Sequence, residues 1–270
     1  FAGSSEFSAF HLRLILNSEN KVSLVLTQPD RKSGRGKEIK QTPVKILAKQ
    51  NNIPVIQPHT LKDDKELVIK LKKENPEIIL VVAYGLIVPK EILQIPRLGC
   101  INIHASLLPR WRGATPIERC ILEGDNLSGL TFMKMEQGLD TGPVLKRFSC
   151  KVDPKETAGS LEYKLIEISK TELVKFIKDL SFGELKEEKQ DPSLATYSQK
   201  ISNKDNEILW IDCQANYIDR KIRSLFPKYG AYTFFEEKRI KLLKAEVDKK
   251  SYLLKPGVIF IDEDKEIHVG

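Results

Sequence analysis

From Gly99 to Gly113 the chain reads Gly-Cys-Ile-Asn-Ile-His-Ala-Ser-Leu-Leu-Pro-Arg-Trp-Arg-Gly, a run that begins as a strand and cannot finish as one. Ile101 and Ile103 alternate with Asn102 and His104, so an amide and an imidazole leave the same face of that strand. Pro109 lacks a ladder donor, and Gly113 follows two arginines and a tryptophan, so an irregular loop takes over. Open α/β sheets bind ligands at the carboxyl ends of their strands, which is where Asn102 and His104 stand. A lone histidine is more often a satisfied member of a buried network; here its neighbours favour a site.

The flanking sequence fits an α/β sheet. Phe1-Ala-Gly3 reads as a strand end turning into a helix over about residues 6–17, with apolar positions 7, 10 and 14 on one face, and residues 22–27 read as the next strand. One glycine after the first strand is not G-x-G-x-x-G, which argues against an NAD or FAD enzyme. Gln28 to Thr42 is nearly devoid of apolar residues and reads as a long exposed loop, ended by Thr42 capping and Pro43 starting a helix. Glu77-Ile-Ile-Leu-Val-Val-Ala83 reads as a strand covered on both faces. The apolar segment Tyr84 to Pro89 at its carboxyl end either walls a ligand pocket or packs into the core. Residues 128–135 and 144–152 read as strands around a tight Glu136 to Pro143 loop whose two glycines flank Asp140.

A helical pattern from about Thr157 to Leu180, stopped by Gly183, closes a first domain of residues 1–183. Residues 184–200 are polar and read as a linker. Residues 201–270 hold a short helix near 215–225 and strand-like runs at 207–211, 231–235, 239–244 and 257–261, the pattern of a small β-barrel. The opening Phe-Ala-Gly, without methionine, is expected to follow residues absent from this sequence.

Charge narrows the partners. The net +7 lies wholly in the first 183 residues, and Arg31 to Lys49 alone carries seven basic residues against one acid. A second basic stretch, residues 220–255, has 11 basic residues against 4 acidic. Such segments attract phosphate-rich partners. The four cysteines (100, 120, 150, 213) form no C-x-x-C pair, which excludes a disulfide framework and points to a reducing, cytoplasmic-type compartment. No run approaches the roughly 20 apolar residues that a membrane helix needs.

Phe1-Ala-Gly, Thr27-Gln-Pro-Asp-Arg31, Gly34-Arg-Gly-Lys37, Val82-Ala-Tyr-Gly85, Gly99 to His104, Ser106 to Gly113 and Gly138-Leu-Asp-Thr-Gly142 together resemble the methionyl-tRNA formyltransferase family, in register over the whole chain. Asn-x-His, the distant Asp and Ser-Leu-Leu-Pro are common to formyltransferases that use 10-formyltetrahydrofolate; the basic loop and second domain point to transfer RNA. The resemblance implies a Rossmann-like formyltransferase domain followed by a small OB-like β-barrel. It implies Asn102, His104 and Asp140 as the catalytic set, and Ser106, Leu107, Leu108 and Pro109 with Tyr84, Gly85, Leu86 and Ile87 around 10-formyltetrahydrofolate. Arg31, Lys32, Arg35, Lys37 and Lys40 are implied for initiator methionyl-tRNA. The family commonly carries Thr-Pro-Asp after its first glycine, where this chain has Ser4-Ser5-Glu6. A monomer is expected, in a bacterial-type cytoplasm or an organelle matrix.

The chemistry points the same way. Formyl transfer to an amine needs an oxyanion donor, which Asn102 and His104 can supply, and a proton carrier near neutral pH, which His104 can be. Asp140, within reach, would fix the imidazole's orientation. No metal is expected, because histidines 11, 59 and 268 make no cluster with His104. Two other readings stand beside this one. Formyl transfer to a small amine, or hydrolysis of the formyl folate, would use the same three residues but leaves the basic segments unexplained. A non-catalytic RNA-binding protein leaves the retained amide, imidazole and carboxylate unexplained.

Overall fold

The computed structural model describes residues 1–33, 38–211, 213–248 and 254–270, with Lys32 and Ser33 described by their backbone alone. The elements run β1 (Ala2–Gly3), α1 (Glu6–Leu16), β2 (Val25–Leu26), β3 (Arg31–Ser33), β4 (Glu38–Lys40), α2 (Pro43–Gln50), β5 (Val55–Ile56), α3 (Lys65–Glu74), β6 (Ile79–Val82), α4 (Lys90–Leu93) and β7 (Cys100–His104). They continue β8 (Arg112–Gly113), α5 (Pro116–Glu123), β9 (Leu127–Lys134), β10 (Val144–Lys151), α6 (Ala158–Ser181), β11 (Tyr197–Ser198), α7 (Ala215–Leu225), β12 (Ala231–Phe235), β13 (Lys238–Leu242), β14 (Ile259–Ile261) and β15 (Ile267–Val269).

Seven strands form one sheet in the order β10-β9-β7-β6-β1-β2-β5. Pairings from β5 to β7 are parallel, and β9 joins β7 antiparallel. All four residues of β6 are buried, as a strand covered on both faces requires. Pleating divides the core between the faces: Leu24 and Leu26 pack with Leu67, Leu71 and Ile79, whereas Val25 packs with Leu12, Val44 and Ala48 on the other side.

Local chemistry sets the helix starts. Ser5 caps α1 in a reciprocal box with Ser8, so Ser4-Ser5-Glu6 still makes a helix-starting turn. Thr42 caps α2, with Pro43 in its first turn, as expected. Residues 28–42 differ from the expected open loop, because β3 and β4 pair antiparallel with Arg31 opposite Lys40. Asp30 anchors the entry to this ladder, taking hydrogen bonds from Lys45 Nζ (2.5 Å) and Gln57 Nε2 (2.7 Å), which hold its carboxyl below the usual range.

The chain divides into two units, one of Phe1–Pro116, Leu127–Cys150 and Glu162–Gln199, the other of Ile117–Asn126, Lys151–Leu161 and Lys200–Gly270. The stretch expected as a linker is no bare tether. Glu188 and Val144 exchange backbone hydrogen bonds at 2.8 Å, and β11 pairs with β8, because the free edges of β10 and β8 offer this segment the partners its polar backbone needs.

In the second unit Ile218, Ile222 and Leu225 of α7 pack with Ile208 and Ala231. Of the strand expected at 207–211 only a bridge from Glu207 to Tyr232 forms, with Trp210 turned to donate its indole N–H to Thr233 Oγ1 at 2.9 Å. β12–β13 and β14–β15 are separate antiparallel ladders among the described residues. His268 sits between Asp262 (3.0 Å) and Asp248 (3.3 Å).

Candidate active site

The register places β7 beside β6, with Val81 opposite Asn102, and β6 beside β1, with Gly3 opposite Val82. The segments after β1, β6 and β7 therefore open at one edge of the sheet. Asn102 is half-buried there and His104 is buried. Cys100, three strand positions earlier than Ile103, is fully enclosed; burial pushes its thiol up to about 12, so it is no nucleophile.

Asp140 is the meeting point. One carboxylate oxygen accepts from Asn102 Nδ2 at 3.1 Å, and the other accepts from Gly113 N at 2.8 Å. That second oxygen also lies 3.6 Å from His104 Nδ1. His104 Nε2 lies 2.8 Å from the Trp111 carbonyl, and since a carbonyl only accepts, Nε2 carries the ring proton. Nδ1 is thereby the nitrogen left to exchange a proton. Asp140 has φ +52°, a left-handed conformation that Asp tolerates better than most residues, in a loop whose Glu136 to Leu139 and Thr141 are exposed.

The segment between His104 and Gly113 is held residue by residue. Thr131 Oγ1 donates to Ser106 O (2.6 Å) and accepts from Leu108 N (3.0 Å), while Arg147 Nε donates to Leu108 O (3.0 Å). Leu108–Pro109 is cis, and Trp111 has φ +61°. Thr196 Oγ1 accepts from Trp111 N at 2.9 Å, fixing the carbonyl on which His104 leans.

The expected folate residues divide. Tyr84 is 2% exposed and shares a buried cluster with Leu67, Leu71 and Ile92. Ser106 spends its hydroxyl on Arg110 O (2.6 Å), and Leu108 packs with Met133 and Val144. All three side chains are engaged inside the fold. Leu107 and Pro109 are half-buried, Leu86 packs partly on the core, Gly85 has φ +79°, and Ile87 is 91% exposed. Of the expected tRNA residues, Arg31 and Lys40 are exposed and paired across the ladder, only the backbone of Lys32 is described, and Arg35 and Lys37 lie outside the described residues.

Gln190 and Arg112 escaped the sequence reading. Gln190 Nε2 donates to Asp140 O (2.8 Å) and Gly142 O (2.7 Å), and its Oε1 accepts from Arg112 Nε (3.1 Å) and Nη2 (2.8 Å). Gln190 lies in a polar stretch with no periodicity, so no local signal marks it.

Residues 1–177 match the family described as Formyl transferase, and residues 200–270 the family described as Formyl transferase, C-terminal domain. A protein of Coxiella burnetii (strain RSA 331 / Henzerling II) named methionyl-tRNA formyltransferase is 44% identical over 266 residues, covering 98% of this chain and 84% of the relative. The solved structure of methionyl-tRNA formyltransferase from Clostridium thermocellum superposes with TM-score 0.58 at 23% identity, over 84% of this chain and 92% of that one. An N-formyltransferase from Helicobacter canadensis, solved with folinic acid and dTDP-3-aminofucose, superposes with TM-score 0.66 at 20% identity, over 97% of this chain and 91% of that one. These two likenesses speak to the fold alone. With both of its parts matched and a relative so similar over nearly its whole length, the chain belongs to the formyl transferase family, among the methionyl-tRNA formyltransferases.

Proposed function

We propose that this chain transfers the formyl group of 10-formyltetrahydrofolate to the α-amino group of methionine carried by initiator tRNA, by direct amine attack at a site built on Asn102, His104 and Asp140. The observation that carries the reading is the convergence of these three side chains at the carboxyl end of β7, with Asp140 accepting from Asn102 while facing His104. The side chains fit the substrate: an amide N–H for the reacting carbonyl, an imidazole nitrogen for the amine's proton, and apolar surface at exposed Ile87 and half-buried Pro109 for a flat ring.

The amine nitrogen bonds to the formyl carbon and the carbonyl π pair moves to oxygen. One Asn102 Nδ2 hydrogen is committed to Asp140, so the second is the one that meets the oxyanion. His104 Nδ1 takes the proton that the amine loses, with the Asp140 carboxylate beside the nitrogen that gains the charge. Collapse breaks the bond from carbon to N10 of the folate, and N10 receives that proton. The products are the formamide and tetrahydrofolate, and no covalent enzyme intermediate forms.

Arg31 opposite Lys40 supports an RNA contact. Two like charges facing each other across a ladder repel, and a phosphate between them would relieve the repulsion. No helix among the described residues is long and apolar enough to cross a membrane. We place the activity in a bacterial-type cytoplasm. The test is formylation of purified methionyl initiator tRNA with 10-formyltetrahydrofolate, beside amino sugar nucleotides and glycinamide ribonucleotide. Turnover of the tRNA substrate with none of the small amines is expected, and the reverse preference would overturn the reading.

A further inference from the structure

We infer that Gln190 is the positioning residue for Asp140. Rested on the reading that Asp140 takes part in the transfer, the inference assigns a role to a side chain from the stretch that sequence alone reads as a linker. The amide is used at both ends. Its oxygen accepts two hydrogen bonds from Arg112, which is 3% exposed, and its nitrogen donates to the backbone carbonyls of Asp140 and Gly142. A guanidinium only donates and a carbonyl only accepts, so the network fixes which end of the amide is which.

These bonds close a ring around the carboxylate. Arg112 and Gly113 are consecutive in β8; Gly113 N donates to Asp140 Oδ2, and Arg112 reaches the backbone of the same Asp140 through Gln190. Both sides of Asp140 are thus referred to one two-residue strand. The Asp140 loop needs such a hold, because Asp140 is left-handed and its neighbours Leu139 and Thr141 are exposed, so apolar packing does little to fix it. A carboxylate at 190 would meet the buried Arg112 better than an amide does, yet it has no hydrogen to give to either carbonyl. Only an amide of this length serves both partners.

Glu therefore separates the two halves of the role. In the full-length protein, Q190E keeps the partner of Arg112 and releases the Asp140 loop, with two carbonyls now facing a negative charge. The variants to compare are Q190E, D140N and the double variant, each measured for thermal midpoint, folate affinity, single-turnover formylation of methionyl-tRNA and the pH dependence of that rate. We expect Q190E to fold, to bind the folate within about twofold of the parent, and to lose about 10- to 100-fold in single-turnover rate, the scale of an ångström-level misplacement. Its pH profile should shift, because the spacing between Asp140 and His104 changes. The double variant should lose no more than D140N alone, since Gln190 acts only through Asp140. A parental rate and pH profile in Q190E, or losses that multiply in the double variant, would overturn the inference while leaving the site reading intact. A parental rate in D140N would remove the site reading, and the inference with it.

Discussion

Asn102 Nδ2 donates to Asp140 Oδ1 across 3.1 Å, joining residues 38 positions apart at the carboxyl end of a sheet strand. The bond orients the amide so that one hydrogen is spent inside the protein, and the proposed function gives the other to a reacting oxygen. It also sets Asp140 where its second oxygen faces His104.

Removing either Asn102 or His104 should therefore be costly to the chemistry and cheap to binding. Asn102→Ala is expected to lower single-turnover formylation by about 10²- to 10³-fold, the usual scale for one oxyanion donor, and His104→Ala by about 10²- to 10⁴-fold, the scale of a positioned proton carrier. Folate affinity, measured by fluorescence titration, should stay within about twofold of the parent. Single-turnover rates close to the parent in either variant would refute these roles.

Arg31→Ala and Lys40→Ala remove one member each of a cross-ladder pair of cations. For each we expect weaker tRNA binding and a slope of log affinity against log salt reduced by about one. Filter binding at several salt concentrations reads both quantities. An unchanged slope would leave these two residues as solvated surface charge.

His11 makes stability pH-dependent. It is fully buried, with Nδ1 2.7 Å from Phe7 O and Nε2 2.7 Å from Ser169 Oγ; burial lowers it to about 4, against the opposing pull of the Phe7 carbonyl. Because the folded value lies below the ordinary ~6.5, the unfolded chain takes up a proton first as pH falls. Stability is whole above pH ~6.5 and declines toward pH 4, by about 2 kcal/mol between pH 6.5 and 5 at roughly 1.4 kcal/mol per unit. Urea unfolding across that window should show the decline, and His11→Gln should flatten it. Parallel pH curves for the two proteins would contradict the assignment.

Tyr84→Phe tests whether that ring is core. Its hydroxyl is buried with no hydrogen-bond partner, and desolvation raises it above the usual phenol range. Deleting an unpaired buried hydroxyl should stabilise the fold by about 1 kcal/mol and leave folate affinity unchanged. A marked loss of folate affinity would instead place Tyr84 on the pocket wall.

Much of the fold is legible along the chain. The apolar run at Ile79–Val82 is a doubly covered strand, the Ile-Asn-Ile-His alternation delivers Asn102 and His104 to one edge, and α7 falls at the expected Ala215–Leu225. The β3–β4 ladder was not legible, because Arg31 to Ser33 and Glu38 to Lys40 hold one apolar residue between them, Ile39, too few to make a period-two pattern. What the side chains of Tyr84, Ser106 and Leu108 touch was not legible for a related reason. A motif fixes which residues stand at a loop, while the direction each side chain takes follows from packing against Leu67, Thr131 and Met133, far away in sequence.

By itself the sequence determined the periodicities and the helix caps and singled out Asn102, His104 and Asp140 as candidates, since each of these signals depends on residues within a few positions of one another. Only the tertiary structure decided that Asp140 stands between Asn102 and His104, that the Trp111 carbonyl claims one imidazole nitrogen, and that Gln190 grips the Asp140 loop. Those are contacts between segments 7 to 50 residues apart. They form where strand edges are left open by the sheet's order, and no local pattern of residues records which edge will meet which segment.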